Sequence, residues 1–356
     1  MKVCVLGNGL TSLALSKGLL NLGIYVDLYS NEKKNDLYKS RTLAISKTNI
    51  DFFKNNILNI DNLLWNINKI EVYSENLYNK KILGFQNSDK QLFSIIKNFK
   101  LNNCLHKSLI KNKLFKIHKP KKINILLNKK YDLVINCEIN NLISKKFFYK
   151  KLSKDYNSYA HTTIFNHKEI KNDTAVQIFT TKGPLAFLPI SKTKTSVVFS
   201  ARGPKNLDLS SVIKKFNPKY EIISFGKMAS FRLKSLDLRN YYHKNILAFG
   251  DLLHKVHPLA GQGFNMTIRD IKQLIDLVKS KKELGLNLDN SICKEFEKKN
   301  KHKNYLFSNG IDFLYEVFYL ESKMKNNFFS NMIKVFGKNK SLNKIIKKFA
   351  DSGLVL

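Results

Sequence analysis

Apolar and polar positions change period twice within residues 1–30. Val3–Leu6 is a short unbroken apolar run, the pattern of a strand buried on both faces. Gly7-Asn8-Gly9 interrupts it. Leu10–Asn21 then places Leu10, Leu13, Ala14 and Leu20 at helical spacing, and Gly23 is suited to close that helix. Tyr25–Tyr29 returns to a strand pattern, so the spacing predicts a β–α–β unit from the first residues. Further on, Ser46–Asn55 and Lys90–Leu101 read as helices. Ile70–Tyr73 and Lys81–Phe85 read as short strands around a polar turn, and Tyr131–Ile135 as another buried strand.

From about Tyr159 to Ala201 the period shortens. Thr162–Phe165, Ala175–Thr180, Leu185–Pro189 and Thr195–Ser200 are short runs rich in β-branched and aromatic residues, separated by Asn172-Asp173 and Lys182-Gly183-Pro184. That pattern predicts an antiparallel sheet. Asn245–Phe249 is again a buried strand, so the sheet reads as an insertion into the first unit. From about residue 288 the chain is rich in Lys and Phe at helical spacing.

A chain of 356 residues, 43% hydrophobic, is long enough for a deep core and a buried cofactor. No apolar run has the length and freedom from charge of a membrane-spanning helix, and the N-terminal residues do not fit a signal peptide. Cys4, Cys104, Cys137 and Cys293 are scattered without metal-ligand spacing. They point to a reduced, cytoplasmic setting and no metal. The charge is unusual: 62 Lys+Arg against 27 Asp+Glu give +35. Attraction to an anionic surface is one reading. Codon bias is the other, since Asn and Ile are also abundant. The lysines form no arm and accompany no helix-turn-helix or zinc-finger pattern, which argues against nucleic acid.

Two segments carry chemistry. Gly7-x-Gly9-x-x-Ser12 lies between a strand and a helix, where a dinucleotide fingerprint must lie. The first glycine makes the turn, the second lets the backbone approach a pyrophosphate, and the helix N-terminus supplies unpaired N–H groups. Ser12 replaces the usual Gly or Ala. The acid usual at the end of the second strand is Ser30, with Glu32 two residues on. The second segment is Gly250–Asp270 (GDLLHKVHPLAGQGFNMTIRD). A buried strand ends at Gly250-Asp251, His254 and His257-Pro258 follow, and Gly261-Gln262-Gly263 opens an amphipathic helix. A carboxylate at Asp251 can accept hydrogen bonds from a polyol, and a helix N-terminus stabilises negative charge developing on a flavin ring.

Gly250–Asp270 resembles the second FAD motif of the class A flavin monooxygenases, with the p-hydroxybenzoate hydroxylase-like fold, and within them the ubiquinone-biosynthesis hydroxylases. Arg41–Ser46, Gly183–Pro189 (GPLAFLP) and Phe231-Arg232-Leu233 resemble further blocks of that family. The resemblance implies an α/β fold: a Rossmann-like FAD-binding domain (1–150 and 234–285), an inserted antiparallel-sheet substrate domain (151–233, which about 62–88 can join) and C-terminal helices (286–356). It implies FAD held by Gly7, Gly9, Ser12, Arg41, Gly250, Asp251, Pro258, Gly261, Gln262, Gly263 and Asn265, with His254 and His257 as candidates for proton transfer. It further implies NAD(P)H or another reductant, O2, and hydroxylation of the ring of a hydrophobic polyprenylated phenol or quinone precursor in ubiquinone biosynthesis.

The chain departs from the family at Asn136-Cys137-Glu138-Ile139, where a GADG motif is usual. Leu252-Leu253 replaces Ala-Ala, and Thr267 replaces Gly. Two other readings therefore stay open: a non-catalytic flavin-binding scaffold subunit of a quinone-biosynthesis assembly, and an FAD-dependent prenyl-lipid reductase. His161 lies on an inserted-sheet strand, where it faces either a pocket or the core. Phe328–Leu356 interleaves lysines with apolar residues. That pattern suits peripheral association with the inner face of an anionic membrane, and equally a terminal helix packed on its own domain.

Overall fold

A computed structural model describes residues 1–30, 40–77, 80–86, 91–119, 131–324 and 328–338. In chain order, β1 (Lys2–Leu6), α1 (Leu10–Asn21) and β2 (Tyr25–Tyr29) are followed by β3 (Thr42–Ser46), α2 (Lys47–Asn56), β4 (Trp65–Ile67) and β5 (Lys69–Ser74). Next come β6 (Lys80–Gln86), β7 (Phe93–Lys97), α3 (Asn98–Ile110), β8 (Phe115–His118), β9 (Leu133–Asn136) and α4 (Leu142–Phe147). Then follow β10 (Lys151–His167), β11 (Thr174–Thr180), β12 (Gly183–Ser191), β13 (Lys194–Arg202), α5 (Leu209–Phe216), β14 (Ile222–Phe225) and β15 (Ala229–Leu238). After β16 (Tyr242–His243), β17 (Ile246–Ala248) and β18 (His254–Lys255) come the helices α6 (Gln262–Glu283), α7 (Asn290–Met324) and α8 (Phe328–Lys338).

The first sheet runs β16-β17-β9-β1-β2-β8 among the described residues. Val3, Cys4 and Val5 are wholly excluded from solvent, as a central strand of a parallel sheet requires. β1 lies parallel to β2 on one side and β9 on the other. Parallel neighbours need a crossover, and α1 provides it between β1 and β2. Gly23, at φ +73°, ends that helix in the left-handed conformation. Gly18 lets α1 lie close on α6: a Cβ there would come within 2.3 Å of Ile275 Cδ1.

The second sheet runs β18-β15-β10-β13-β12-β11-β5-β6, with β14 on β10. Its pairings are antiparallel except β5 with β11, which are parallel (Ile70↔Ala175). Phe165, Phe187 and Phe199 fill its core, covered by Leu209 and Ile213 of α5. The small third sheet, β3-β7-β4, interleaves along the chain with β5 and β6, and its Thr42, Leu43, Ala44 and Phe93 line the site described below. The fold is thus α/β, with a parallel unit interrupted by an antiparallel sheet and closed by C-terminal helices.

One prediction is corrected. Lys90–Leu101 is not a helix: Phe93–Lys97 is a strand paired with both β3 and β4, and the helix begins at Asn98. Leu92, Ile95, Ile96 and Phe99 fit helical spacing, but Ile95 finds partners in Ala44 and Trp65, and pairing across strands overrides local spacing. Phe231-Arg232-Leu233, noted only as a motif, lies in the strand β15, paired along β10. Among the described residues no helix is long and apolar enough to cross a membrane.

Candidate functional site

The first glycine turn forms where β1 meets α1. Gly7 holds φ +118° and donates its N–H to Tyr29 O (2.9 Å), which ties the turn to the end of β2. Gly9 is the N-cap of α1, and a Cβ on it would meet nothing within 4 Å, so the backbone faces open space. No acid lies in the first turn of α1, although Glu138 stands beside the turn, its Cγ 3.2 Å from where a Gly7 Cβ would sit. Ser12 is buried with its Oγ 3.1 Å from where a Gly7 Cβ would sit, small enough to stand in for glycine or alanine. Ser30 is buried at the end of β2, while Glu32 falls outside the described residues.

The second motif closes on the first. Gly250 holds φ +64°, and a Cβ on it would come 2.8 Å from Thr11 Cγ2 on α1. Gly261, at φ +66°, is the N-cap of α6 and packs on β3, 3.0 Å from Ala44 Cβ as a Cβ would reach it. Asn265, in the first turns of α6, is a clamp. Its amide nitrogen donates to Ala44 O (2.9 Å), and its amide oxygen accepts from Ser46 N–H (3.0 Å) and Asn49 Nδ2 (2.9 Å). The second glycine motif is thereby held rigidly to the Arg41–Ser46 segment.

The two histidines behave differently. His254 is buried and its Nε2 is bonded to the Asp270 carboxylate, which also accepts from Asn304 Nδ2 (3.0 Å). Burial opposes its charge, but Asp270, with Asp237 and Asp251 beyond, outweighs this and holds the imidazole above its ordinary pKa. His254 lines the cavity yet is fixed by this bond, which gives it a loop-holding part. His257, the other candidate for proton transfer, is not among the residues that line the cavity. It is wholly buried, stacked on Tyr315 (4.0 Å between centroids) and edge-on to Tyr156. Burial, and then the Arg202 guanidinium, push it down to about 3. An imidazole so placed stays neutral and out of reach of a substrate.

These turns open onto one cavity of about 2170 Å³. Gly7, Gly9, Ser12, Arg41, Asp251, His254, Pro258, Gly261, Gln262, Gly263 and Asn265 all line it, and Gly250 stands just behind. Its other end is apolar, walled by Ile70, Val72, Phe85, Leu188, Val198 and Leu233 of the second sheet.

No protein-family model matches the chain. It is 26% identical over 173 residues to 3-demethoxyubiquinol 3-hydroxylase of Escherichia coli, covering 45% of this chain and 44% of that protein. It is 32% identical over 113 residues to the ubiquinone biosynthesis monooxygenase COQ6 of Dictyostelium discoideum, covering 32% and 22%. The chain thus spans less than half the length of these curated relatives. Among solved structures, p-nitrophenol 4-monooxygenase PnpA of Pseudomonas putida superposes with a TM-score of 0.77 at 12% identity, over 99% of this chain and 98% of that one. Klebsiella pneumoniae HpxO, complexed with FAD and uric acid, gives 0.75 at 10% identity over 99% and 97%. Over less than half its length the chain is similar to ubiquinone-biosynthesis hydroxylases, and it has the fold of FAD-dependent monooxygenases.

Several residues of the site lie outside the motifs that the sequence signals. Asn98, Asn102 and His106 line the cavity from α3. Their i, i+4, i+8 spacing puts them on one face of α3, which begins only at Asn98. Asn49 and Asp270 act through Asn265 and His254; Asp270 closes the Gly250–Asp270 motif, whereas no local signal marks Asn49. Where the family's third motif departs, Asn136 Nδ2 donates to Ser144 Oγ (2.8 Å) and Asn136 Oδ1 accepts from Asn141 Nδ2 (2.8 Å) and Glu138 N–H (3.2 Å). A polar knot holds this loop where the family uses glycine. Glu138 lines the cavity, and burial pushes its carboxyl above the ordinary value.

Proposed function

We propose that the chain is an FAD-dependent monooxygenase that hydroxylates the aromatic ring of a polyprenylated phenol or quinone precursor in ubiquinone biosynthesis. The observation that carries this reading is the single cavity, in which two glycine-opened helix N-termini face the apolar wall of the second sheet. Ligand pockets of drug size occupy roughly 300–1,000 Å³. A cavity of about 2170 Å³ has room for a dinucleotide and an apolar second molecule together.

The residues present fit FAD. Gly7 and Gly9 leave the backbone of the α1 N-terminus approachable, and no acid in the first turn of α1 or α6 repels an anion. In this reading Gly7, Gly9 and Ser12 hold the pyrophosphate, Asp251 the polyol, and Arg41, Pro258 and Gly261–Gly263 the ring system. Asn265 and Gly250 position these groups from behind. When bound, the flavin supplies the redox chemistry, taking electrons from NAD(P)H or another donor and activating O2. The protein binds, orients and keeps water from the ring, and the α6 N-terminus favours negative charge beside it. The FAD-binding part would comprise 1–150 and 234–285 apart from β5 and β6, and the substrate part the sheet of 151–233.

The test is a visible spectrum of the purified protein, then a reductant titration with and without a prenylphenol under O2. Bound flavin and O2-dependent hydroxylated product are expected. Protein that binds no flavin sinks the reading. The knotted loop at Asn136–Ile139 favours a second reading, a flavin-binding but non-catalytic scaffold of a quinone-biosynthesis assembly, which predicts flavin without product. Reductant consumption without oxygen incorporation would point instead to a prenyl-lipid reductase.

A further inference from the structure

The helices that wall the apolar end of the cavity carry a second apolar face on the outside. Phe307, Ile311, Leu314 and Phe318 of α7 and Ile333 of α8 line the cavity. Leu306, Phe313, Leu320 and Met324 of α7 instead point outward, Phe313 being 65% and Met324 70% exposed. They recur after seven, seven and four residues. At about 100° per residue this keeps them on one stripe, about 27 Å long at about 1.5 Å per residue. On α8, Phe328 and Val335, seven residues apart, are exposed as well. α8 is fixed beside α7 and β5: Ser330 Oγ donates to Glu321 Oε2 (2.6 Å) and lies in hydrogen-bond contact with Ser74 Oγ (3.1 Å).

The charge around this face is one-sided. Lys303 and Lys323 are exposed on α7, and Lys334 is part-exposed on α8. The carboxylates of the same half of α7 are engaged elsewhere: Glu316 by Arg202 and Lys154, Glu321 by Ser330, and Asp312 by Tyr156. Leu314 lines the cavity, keeps 39% of its surface accessible, and adjoins the outward Phe313.

We propose that this outer face of α7 and α8 docks on an anionic lipid bilayer, and that a prenylated molecule enters the cavity past Leu314. An apolar stripe flanked by lysines lies in the plane of a bilayer interface, its side chains among the acyl chains and its ammonium groups at the headgroups. The docking stands on the surface itself. The entry route rests on the reading of the cavity as a prenylphenol site.

The experiment is flotation of the full chain with vesicles of phosphatidylcholine alone and of phosphatidylcholine with phosphatidylglycerol. Binding to the anionic vesicles, weakened by salt, is expected. Phe313→Asp with Met324→Asp should lower partitioning at least about tenfold, and Lys323→Gln or Lys334→Gln about fivefold each. All four side chains lie at the surface, so thermal melting of the variants should match the parent. Failure to bind anionic vesicles, or binding that none of these variants changes, overturns the docking. A concentration-dependent dimer that Phe313→Asp abolishes, without vesicle binding, assigns the face to a second copy and also overturns it. Leu314→Trp should slow uptake of a fluorescent prenylphenol while vesicle binding is kept, and unchanged uptake overturns the entry route. Because flotation needs no flavin, protein that floats but never binds FAD keeps the docking and loses the proposed function.

Discussion

At the scale of the residue, Asn265 and His257 show how one motif divides its labour. Asn265 spends its amide on the backbone of β3 and on Asn49, so it assembles the site rather than recognising a ligand by itself. Asn265→Ala removes the Oδ1 that Ser46 N–H and Asn49 Nδ2 share and the amide that reaches Ala44 O, and is expected to cost about 3 kcal/mol. Denaturant unfolding measures the loss, and a midpoint equal to that of the parent would falsify the clamp. His257 carries a pH prediction. Its pKa falls from an ordinary value of about 6.5 in the unfolded chain to about 3 in the fold. Between those values the unfolded chain binds more protons, so stability drops as pH falls, by up to about 1.4 kcal/mol per pH unit. His257→Phe should flatten this acid limb. Melting curves at neutral pH and near pH 5 check it, with His257→Phe expected to lose less than the parent. His254 works in the opposite direction. Its raised pKa gives stability present below the unfolded value and lost as pH rises through the folded one. His254→Gln should therefore be penalised most at acid pH.

At the scale of the element, close approach between strands decides which glycines matter. Gly183 opens β12 at φ +136°, where a Cβ would come 2.1 Å from the carbonyl oxygen of Ser200, a backbone atom that cannot swing away. Gly203 holds a similar φ, +115°, with nothing within 4 Å of such a Cβ. The pair separates backbone strain from steric clash. Gly203→Ala should cost about 1–2 kcal/mol, for strain alone. Gly183→Ala should cost that and about 1–3 kcal/mol more for overpacking, or leave the protein insoluble. Equal losses in chemical denaturation would show that the β12–β13 contact is softer than it looks.

At the scale of the whole molecule, the site is an assembly of distant segments. The α1 turn, β3, the α3 face, the second sheet and the α6 turn all border one cavity. A ligand bridging them must stabilise the whole fold. FAD at about a hundredfold its Kd should add about 2.7 kcal/mol and raise Tm in proportion. FMN, which lacks the adenosine end, should add distinctly less, because it cannot reach from α6 to the Gly7–Ser12 turn. Differential scanning fluorimetry with each flavin tests this. Equal shifts from both would remove the α1 turn from the site.

The sequence alone determined whatever depends on neighbours along the chain. The β1–α1–β2 unit, the glycine turns at Gly7–Gly9 and Gly261–Gly263, the strands of the inserted sheet and the family resemblance of Gly250–Asp270 all follow from contiguous residues, because burial period and backbone conformation are local. Only the tertiary structure decided what depends on pairing across the chain. It made Phe93–Lys97 a strand, since Ile95 meets Ala44 and Trp65 there. It set β5 parallel on β11, where the sequence only allowed residues about 62–88 to join the sheet, and gave Asn98, Asn102 and His106 a wall of the cavity. It also separated two histidines that are three positions apart, binding one to Asp270 and burying the other between tyrosines. Spacing along the chain can place a side chain on a face. Which partner that face meets is set by segments that come together only when the protein folds.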